Sequence, residues 1–255
     1  MLHQVFRIRW NAVRASTPSQ RAAVTEEGAG ILASPADPAA GASVLVQLLG
    51  HKGDLMVIHA RPGFDELAAT QLALSRSRLS DWLEPATSFV SIVELGMYEM
   101  TAKIHQQLAD RGLETGSADF DRAFDEEMAR QRERVKGRLF VELPPSRYVS
   151  FYPMNKRRGE GRNWYLEPFE RRAAMMREHG MVGRHYAGRV IQIISGAIGF
   201  DDWEWGVDLF ADDPLVFKKL IYELRFDEAS AAYAEFGPFY VGRQLRPGDL
   251  AGILR

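Results

Sequence analysis

Cysteine is absent from this 255-residue chain. That excludes disulfide frameworks, thiolate zinc sites, iron–sulfur clusters and cysteine nucleophiles together. It fits a reducing compartment. An excess of charge is also missing: 32 Lys and Arg stand against 34 Asp and Glu, for a net charge of -2. There is no global basic field to hold nucleic acid and no acidic tail, although a local patch can still bind anions. No window approaches the ~18 apolar residues that span a bilayer. The N-terminus, Met-Leu-His-Gln-Val-Phe-Arg-Ile-Arg-Trp, alternates like a strand and lacks the basic-then-apolar order of a leader. The expectation is a soluble cytoplasmic protein. The chain carries no Walker loop, no G-x-G-x-x-G, no H-E-x-x-H and no G-x-S-x-G.

What is present is a hydrophobic fraction of 46%, enough for a proper core. The length suits one large domain or two small fused ones. Val5–Trp10 reads as a half-buried strand. Residues 11–42, rich in Ala, Ser, Thr, Pro and Gly, read as a loop with one helical turn near Gln20–Thr25. Ser43–Leu49 and Leu55–Ala60 flank His51-Lys52-Gly53-Asp54 as strand, turn and strand. Phe64–Trp82 has helical spacing, Ser88–Tyr98 reads as a strand, and residues 109–118 as a loop. Asp119–Lys136 is a charged amphipathic helix. Phe140–Leu143 and Tyr148–Tyr152 are strand-like, and Lys156–Asn163 is a basic loop. Glu167–His179 is expected as a helix stopped by Gly180. Gly188–Ser195 and Trp203–Phe210 read as strands, Pro214–Arg225 as a helix, and Ala232–Gly242 as a closing strand.

The two halves echo each other. LMVIHARPGFDELAATQL resembles WGVDLFADDPLVFKKLIYEL as strand, short turn and long helix. VELGMYEM similarly resembles AEFGPFYVG. A doubled β-α-β-type unit, packed sheet to sheet with helices outside, predicts an α+β barrel. Such a fold has room for a flat cofactor.

Several side chains are candidates for chemistry. Tyr152, Met154 and Lys156 alternate along one strand and so share a face. Tyr can donate a proton or an electron, and Lys clamps carboxylates; an edge strand running into a solvated basic turn explains the same residues. Lys156-Arg157-Arg158 as a nucleic-acid patch is disfavoured by the balanced charge. His179 at a helix end is explained by dipole stabilisation or by iron ligation. No second His or carboxylate stands at i+3 or i+4 from it, which argues against zinc or a di-metal site but not against heme. Gln192 interrupts an apolar run, as a satisfied core amide or as a polar group reaching into a pocket. Asp201-Asp202-Trp203-Glu204-Trp205 reads as a capped turn flanking a strand. Arg225 and Ser230 flank Phe226-Asp227-Glu228 as an anion clasp or as ordinary helix-end chemistry, and Arg138 allows the same two readings.

Taken together, YPMNKRR, EHGMVGR and DDWEWGVDLF carry a close resemblance to the chlorite dismutase-like superfamily, and within it to the coproheme decarboxylases. The likeness is dense over residues 148–242 and looser before them. It implies duplicated ferredoxin-like units forming a dimeric-type α+β barrel, with halves at 1–137 and 138–255 and the pocket in the second. It implies a homopentamer and a transient contact with a coproporphyrin ferrochelatase. The implied reaction is peroxide-driven oxidative decarboxylation of two propionates of iron coproporphyrin III (coproheme), giving heme b. The resemblance further implies His179 as proximal iron ligand and Tyr152 as the residue oxidised to a radical. Lys156 matches a lysine near the reacting propionate; Arg138, Met154, Gln192, Arg225 and Ser230 match positions that hold propionates or line the pocket. Chlorite-splitting relatives carry an Arg where this chain has Gln192, and lack the Tyr that matches Tyr152. Actinobacterial decarboxylases use a distal His near 110–118, where this chain has none; His105 lies in a different segment. A heme carrier or sensor on the same fold, and a nonenzymatic oligomeric α+β protein, are the competing readings.

Overall fold

The computed structural model describes residues 1–93, 98–139 and 143–255, with backbone alone for 98–103 and 131–139. The first unit runs β1 (Leu2–Ile8), α1 (Trp10–Ala15), α2 (Pro18–Leu32), β2 (Ala42–Leu48), β3 (Leu55–Ala60), α3 (Phe64–Arg76) and β4 (Leu83–Val90). Its antiparallel strands lie in the order β4-β1-β3-β2. β5 (Ile92–Val93) follows at once, and then α4 (Tyr98–Asp110) and α5 (Ala118–Leu139). α4 and α5 pack on each other through Ile104, Leu108, Phe120 and Met128.

The second unit repeats the plan as β6 (Tyr148–Lys156), α6 (Phe169–Arg184), β7 (Ile191–Gly196), β8 (Trp205–Ala211), α7 (Leu215–Leu224), α8 (Glu228–Tyr233), β9 (Ala234–Phe236) and β10 (Tyr240–Leu245). Its strands lie in the order β10-β6-β8-β7, the same permutation as in the first unit, and β9 extends the pairing of β6. A short α9 (Leu250–Ile253) ends the chain. The two sheets join through β2 and β10, where Gly242 is required because a Cβ there would collide with the Gln47 carbonyl. At the other end β4 runs on into β5, which pairs with β7, so the sheet closes on itself. The result is a duplicated ferredoxin-like α+β barrel. Val5, Val46, Met56, Ile58, Phe89, Val149, Phe151 and Phe210 fill its interior. Inside, His3 on β1 reaches Asp208 on β8 with Nε2–Oδ1 at 2.9 Å and stacks on Phe151 at 4.0 Å. The two helical layers cover separate outer cores.

The largest correction concerns residues 11–42, which hold two helices rather than a loop. Thr17 caps α2 by accepting from the Gln20 backbone N–H, and the Thr17 backbone N–H in turn donates to the Gln20 side-chain oxygen. Pro18 sits in the first turn, where its missing N–H costs nothing. The buried face is built from Val24, Thr25, Gly28 and Leu32, small residues that make no obvious apolar stripe. Gly28 lets α2 approach closely: a Cβ there would stand 2.6 Å from Leu79.

Other boundaries shift less. β1 ends at Ile8, and Trp10 opens α1. Helix α3 stops at Arg76, and Arg78–Trp82 continues as a 3-10 turn. Tyr98 starts a helix rather than ending a strand. Gly180 lies inside α6, not past its end. Residues 232–242 are divided between the end of α8 and two strands. The strand expected at Phe140–Leu143 falls largely on residues outside those described.

Parity along the strands assigns faces. Leu55 and Val57 of β3 pack under the first helical layer, and His59 shares their side, fully buried, with Nδ1 2.8 Å from Ser43 Oγ. Burial, then the charges of Arg61 and His3, lower His59 to about 3. The unfolded chain takes up this proton near 6.5 and the folded chain only near 3. The contribution is therefore intact above pH 6.5 and is lost as pH falls through that window. By pH 4.5 the loss should be about 3 kcal/mol. Urea unfolding at pH 7 and 4.5 checks it: His59→Gln should flatten the difference, and an unchanged acid slope would remove His59 as its source.

Candidate porphyrin site

Val149 and Phe151 of β6 point into the barrel, so Tyr152, Met154 and Lys156 point outward at alternate positions. Register carries the same face across the sheet: Tyr152 pairs with Val207, Val207 with Ile194, and Leu209 with Gln192. Tyr152, Val207 and Leu209 share an outer core with Val182 and Tyr186 near the end of α6. β7 departs from expectation. Gln192 is exposed rather than buried, as is Ile194 on the same face at 45%, while Ile191 pairs with Phe210 and points to the other face. The outer side of β7 is an open apolar wall with one amide in it.

His179 is set differently from the reading as a helix end. α6 continues to Arg184, so the imidazole lies more than a turn before the terminus and the dipole does not account for it. Its Nδ1 lies 3.1 Å from Asp227 Oδ2 and 3.2 Å from Ser230 Oγ. Asp227 caps α8: Oδ1 accepts from the Ser230 amide at 2.9 Å, and Ser230 Oγ donates to Oδ2 at 3.1 Å. Burial alone would raise the Asp227 carboxyl. The His179 hydrogen bond and charge, with the Ser230 bonds, outweigh it and hold the group below the usual carboxylate range. An anionic Asp227 accepts a hydrogen bond from Nδ1–H of the neutral ring and so leaves Nε2 with its lone pair as a ligand atom. Sequence reasoning did not single out Asp227. Its one signal was an Asp three residues before a Ser at a helix start.

Lys156 is buried. Its Nζ donates to the Ala229 carbonyl at 3.1 Å and sits 4.3 Å from the Trp164 ring centroid. Burial lowers its ammonium to about 8, opposed by Asp227 and Glu204. Tyr152 is buried, stacked on Phe239 at 4.5 Å and tilted against Phe236 at 5.7 Å. Burial raises its phenol above the ordinary value, and the Arg225 charge pulls it back. Arg225 lies over Phe236 at 4.2 Å. Two groups of candidates thus emerge: Tyr152, Met154, Gln192 and Arg225 about the open wall, and His179, Ser230 and Lys156 around Asp227. The Arg138 side chain is outside the described residues. A cavity of about 790 Å³ lies elsewhere, lined by Trp10, Arg243 and Arg246 among others, and contains none of these residues.

The protein-family model described as chlorite dismutase matches residues 21–245. The chain belongs to the chlorite dismutase family. Within this family, coproheme decarboxylase from Staphylococcus carnosus is 42% identical over 257 residues, covering 100% of this chain and 94% of that protein. Coproheme decarboxylase from Thermus thermophilus is 46% identical over 214 residues, covering 84% of this chain and 76% of that protein. A solved structure of a heme-binding protein from Thermus thermophilus superposes with a TM-score of 0.82 at 40% identity, covering 99% of this chain and 93% of that one. Chlorite dismutase from Candidatus Nitrospira defluvii shares the fold, with a TM-score of 0.74 at 15% identity over 99% of this chain and 93% of that one. The family also includes longer proteins: this chain spans 40% of a relative from Natronomonas pharaonis.

The donor set of this family member fits an iron porphyrin. Such a group needs one protein ligand with the second imidazole nitrogen held, an apolar wall for the macrocycle and cations for its carboxylates. Among the described residues no three His, Cys, Asp or Glu gather as a multi-ligand metal site would require. No helix among them is long and apolar enough to cross a membrane.

Proposed function

We propose that this protein is a coproheme decarboxylase that converts iron coproporphyrin III to heme b with hydrogen peroxide. Each step turns a propionic acid and one peroxide into a vinyl group, carbon dioxide and two waters. The observation that carries the reading is a buried phenol, Tyr152, beside Arg225 on the face that also bears Gln192. A carrier needs His179 but has no use for that phenol.

When bound, the iron porphyrin supplies the centre at which peroxide is reduced. His179 would hold the iron through Nε2, with Asp227 and Ser230 orienting the ring from Nδ1. Tyr152 relays one electron and takes a hydrogen atom from the propionate β-carbon. Lys156 supplies and recovers protons near that propionate. Arg138 and Arg225 face carboxylates, and Met154 and Gln192 line the pocket; Ser230, whose Oγ is engaged by Asp227 and His179, positions the iron ligand rather than a carboxylate. The half at 138–255 carries the site, and the 1–137 half completes the barrel. The working form is a cytoplasmic homopentamer that meets a coproporphyrin ferrochelatase transiently to receive substrate.

The decisive experiment mixes purified protein with iron coproporphyrin III and titrates peroxide while product mass is followed. Stepwise loss of two carboxyl groups as carbon dioxide, each with two hydrogens, supports the enzyme. Tight binding followed only by bleaching overturns it. A pH profile adds a sharper expectation. Lys156 is charged at pH 7 and loses its proton as pH rises through about 8. Turnover should therefore fall on the alkaline side with an apparent midpoint near 8, as expected for a proton donor. Lys156→Arg should move that limb out of range. A limb unchanged in that variant would assign it to another group.

A further inference from the structure

We propose that Trp164 and Tyr233, with Glu167 as proton acceptor, form a second oxidisable site that drains an oxidising equivalent from the porphyrin pocket when no propionate is positioned to react. It rests on the peroxide chemistry proposed above. Trp164 and Tyr233 are 3% and 1% exposed, and their rings meet edge to face with centroids 5.4 Å apart. The Tyr233 hydroxyl donates to Glu167 Oε1 at 2.5 Å.

Three links tie this pair to the iron ligand. Lys156 places Nζ 4.3 Å from the Trp164 ring, on the site side of the pair. Helix α8 carries Ser230, whose Oγ is 3.2 Å from His179 Nδ1, one turn before Tyr233. Met175, one turn before His179 on α6, belongs to the same buried cluster as Trp164 and Tyr233. The aromatic pair therefore packs directly behind the residues that hold His179.

The chemistry follows from the partners. A phenol gives up an electron readily only when its proton can leave in the same event, because the oxidised phenol is a strong acid. Glu167 is placed to receive that proton, and an ammonium over Trp164 discourages positive charge from resting on the indole. Trp164 thus passes the electron onward and Tyr233 is where the oxidation settles. In the step, the Tyr233 O–H bond breaks, its proton goes to Glu167, and its electron reduces the oxidised site by one equivalent. A small external one-electron donor such as ascorbate then reduces the Tyr233 radical, and Glu167 returns the proton. Tyr186 makes a similar bond to Glu223 at 2.5 Å, but its ring faces the Arg189 guanidinium at 4.6 Å, closer than Arg162 stands to the Tyr233 ring at 5.9 Å, and the nearer cation opposes oxidation more strongly. It serves as the control.

The test uses coproheme-loaded Tyr152→Phe, frozen within milliseconds of mixing with peroxide and read by electron paramagnetic resonance. A tyrosyl signal is expected. It should disappear in Tyr152→Phe/Tyr233→Phe and persist in Tyr152→Phe/Tyr186→Phe. Glu167→Gln in the same background keeps an acceptor for the hydroxyl but cannot take its proton, so the signal should form roughly 10²-fold more slowly. That variant keeps both rings, and so tests the relay even if Tyr233→Phe folds poorly. A signal indifferent to Tyr233 and Glu167, or peroxide consumption with no protein radical, overturns the relay. Failure of the parent enzyme to release carbon dioxide would count against the decarboxylase reading instead, wherever the radical sits.

Discussion

Tyr152→Phe is expected to bind iron coproporphyrin III within about tenfold of the parent affinity, since one hydrogen bond is worth only about 1 kcal/mol net. Turnover should fall roughly 10³-fold or more, equivalent to about 4 kcal/mol of transition-state stabilisation. The separation of these effects follows from the setting of the ring. Stacking on Phe239 and contact with Phe236 hold its plane, and Phe keeps both. What is lost is the oxygen, the one atom of the residue that can relay an electron and accept a hydrogen atom. Because burial raises the phenol, Tyr152 keeps its proton across the working range, and oxidation must expel it. Arg225 lies close enough to influence that event and carries a charge suited to a propionate. Product mass after peroxide titration, with coproheme affinity from absorbance, checks both halves. Full activity in the variant would remove Tyr152 from the reaction, and lost binding would recast it as a packing residue.

The parts legible from sequence were those whose pattern is local. β2, β3 and α5 declare themselves by short apolar runs about a turn or by charged helical spacing, and tertiary context does not override them. The repeat between residues 55–72 and 205–224 falls on β3–α3 and β8–α7, equivalent places in the two units. α2 was hidden because its buried face is made of Val24, Thr25, Gly28 and Leu32, whose fit depends on Leu79 and Leu250 from elsewhere in the chain. Gly180 misled because glycine inside a helix costs only about 1 kcal/mol, and α6 pays for it through packing. Gln192 looked buried because Ile191, Ile193 and Ile194 surround it, yet of the three only Ile193 is buried, and Gln192 shares its face with the exposed Ile194. Closure of the sheet rests on β5, two residues long and beyond any periodicity argument. Asp227 escaped notice for a related reason: it touches His179 across 48 residues of chain.

His179→Ala tests the other end of the site, and it should differ from Tyr152→Phe in kind. Removing the imidazole takes away the proposed iron ligand and leaves Asp227 buried without its histidine partner, so affinity and spectrum should change together. Changes to the groups that hydrogen-bond a metal ligand cost roughly 10–100-fold, and loss of the ligand itself should cost at least that much in coproheme affinity. The electronic spectrum should show altered iron ligation, and the peroxide reaction should stop before the first carboxyl is lost. Asp227→Asn separates ligation from orientation. Asn can still accept from Nδ1, but it carries no charge to hold the proton there, so Nε2 is presented less reliably and the imidazole is a weaker donor to iron. Binding should fall less than in His179→Ala, while the peroxide step slows by roughly 10–100-fold. An iron spectrum and turnover unchanged in His179→Ala would remove this residue from the site. Parent-like peroxide reactivity in Asp227→Asn would instead keep His179 as the ligand and reduce the 3.1 Å contact to ordinary capping of α8.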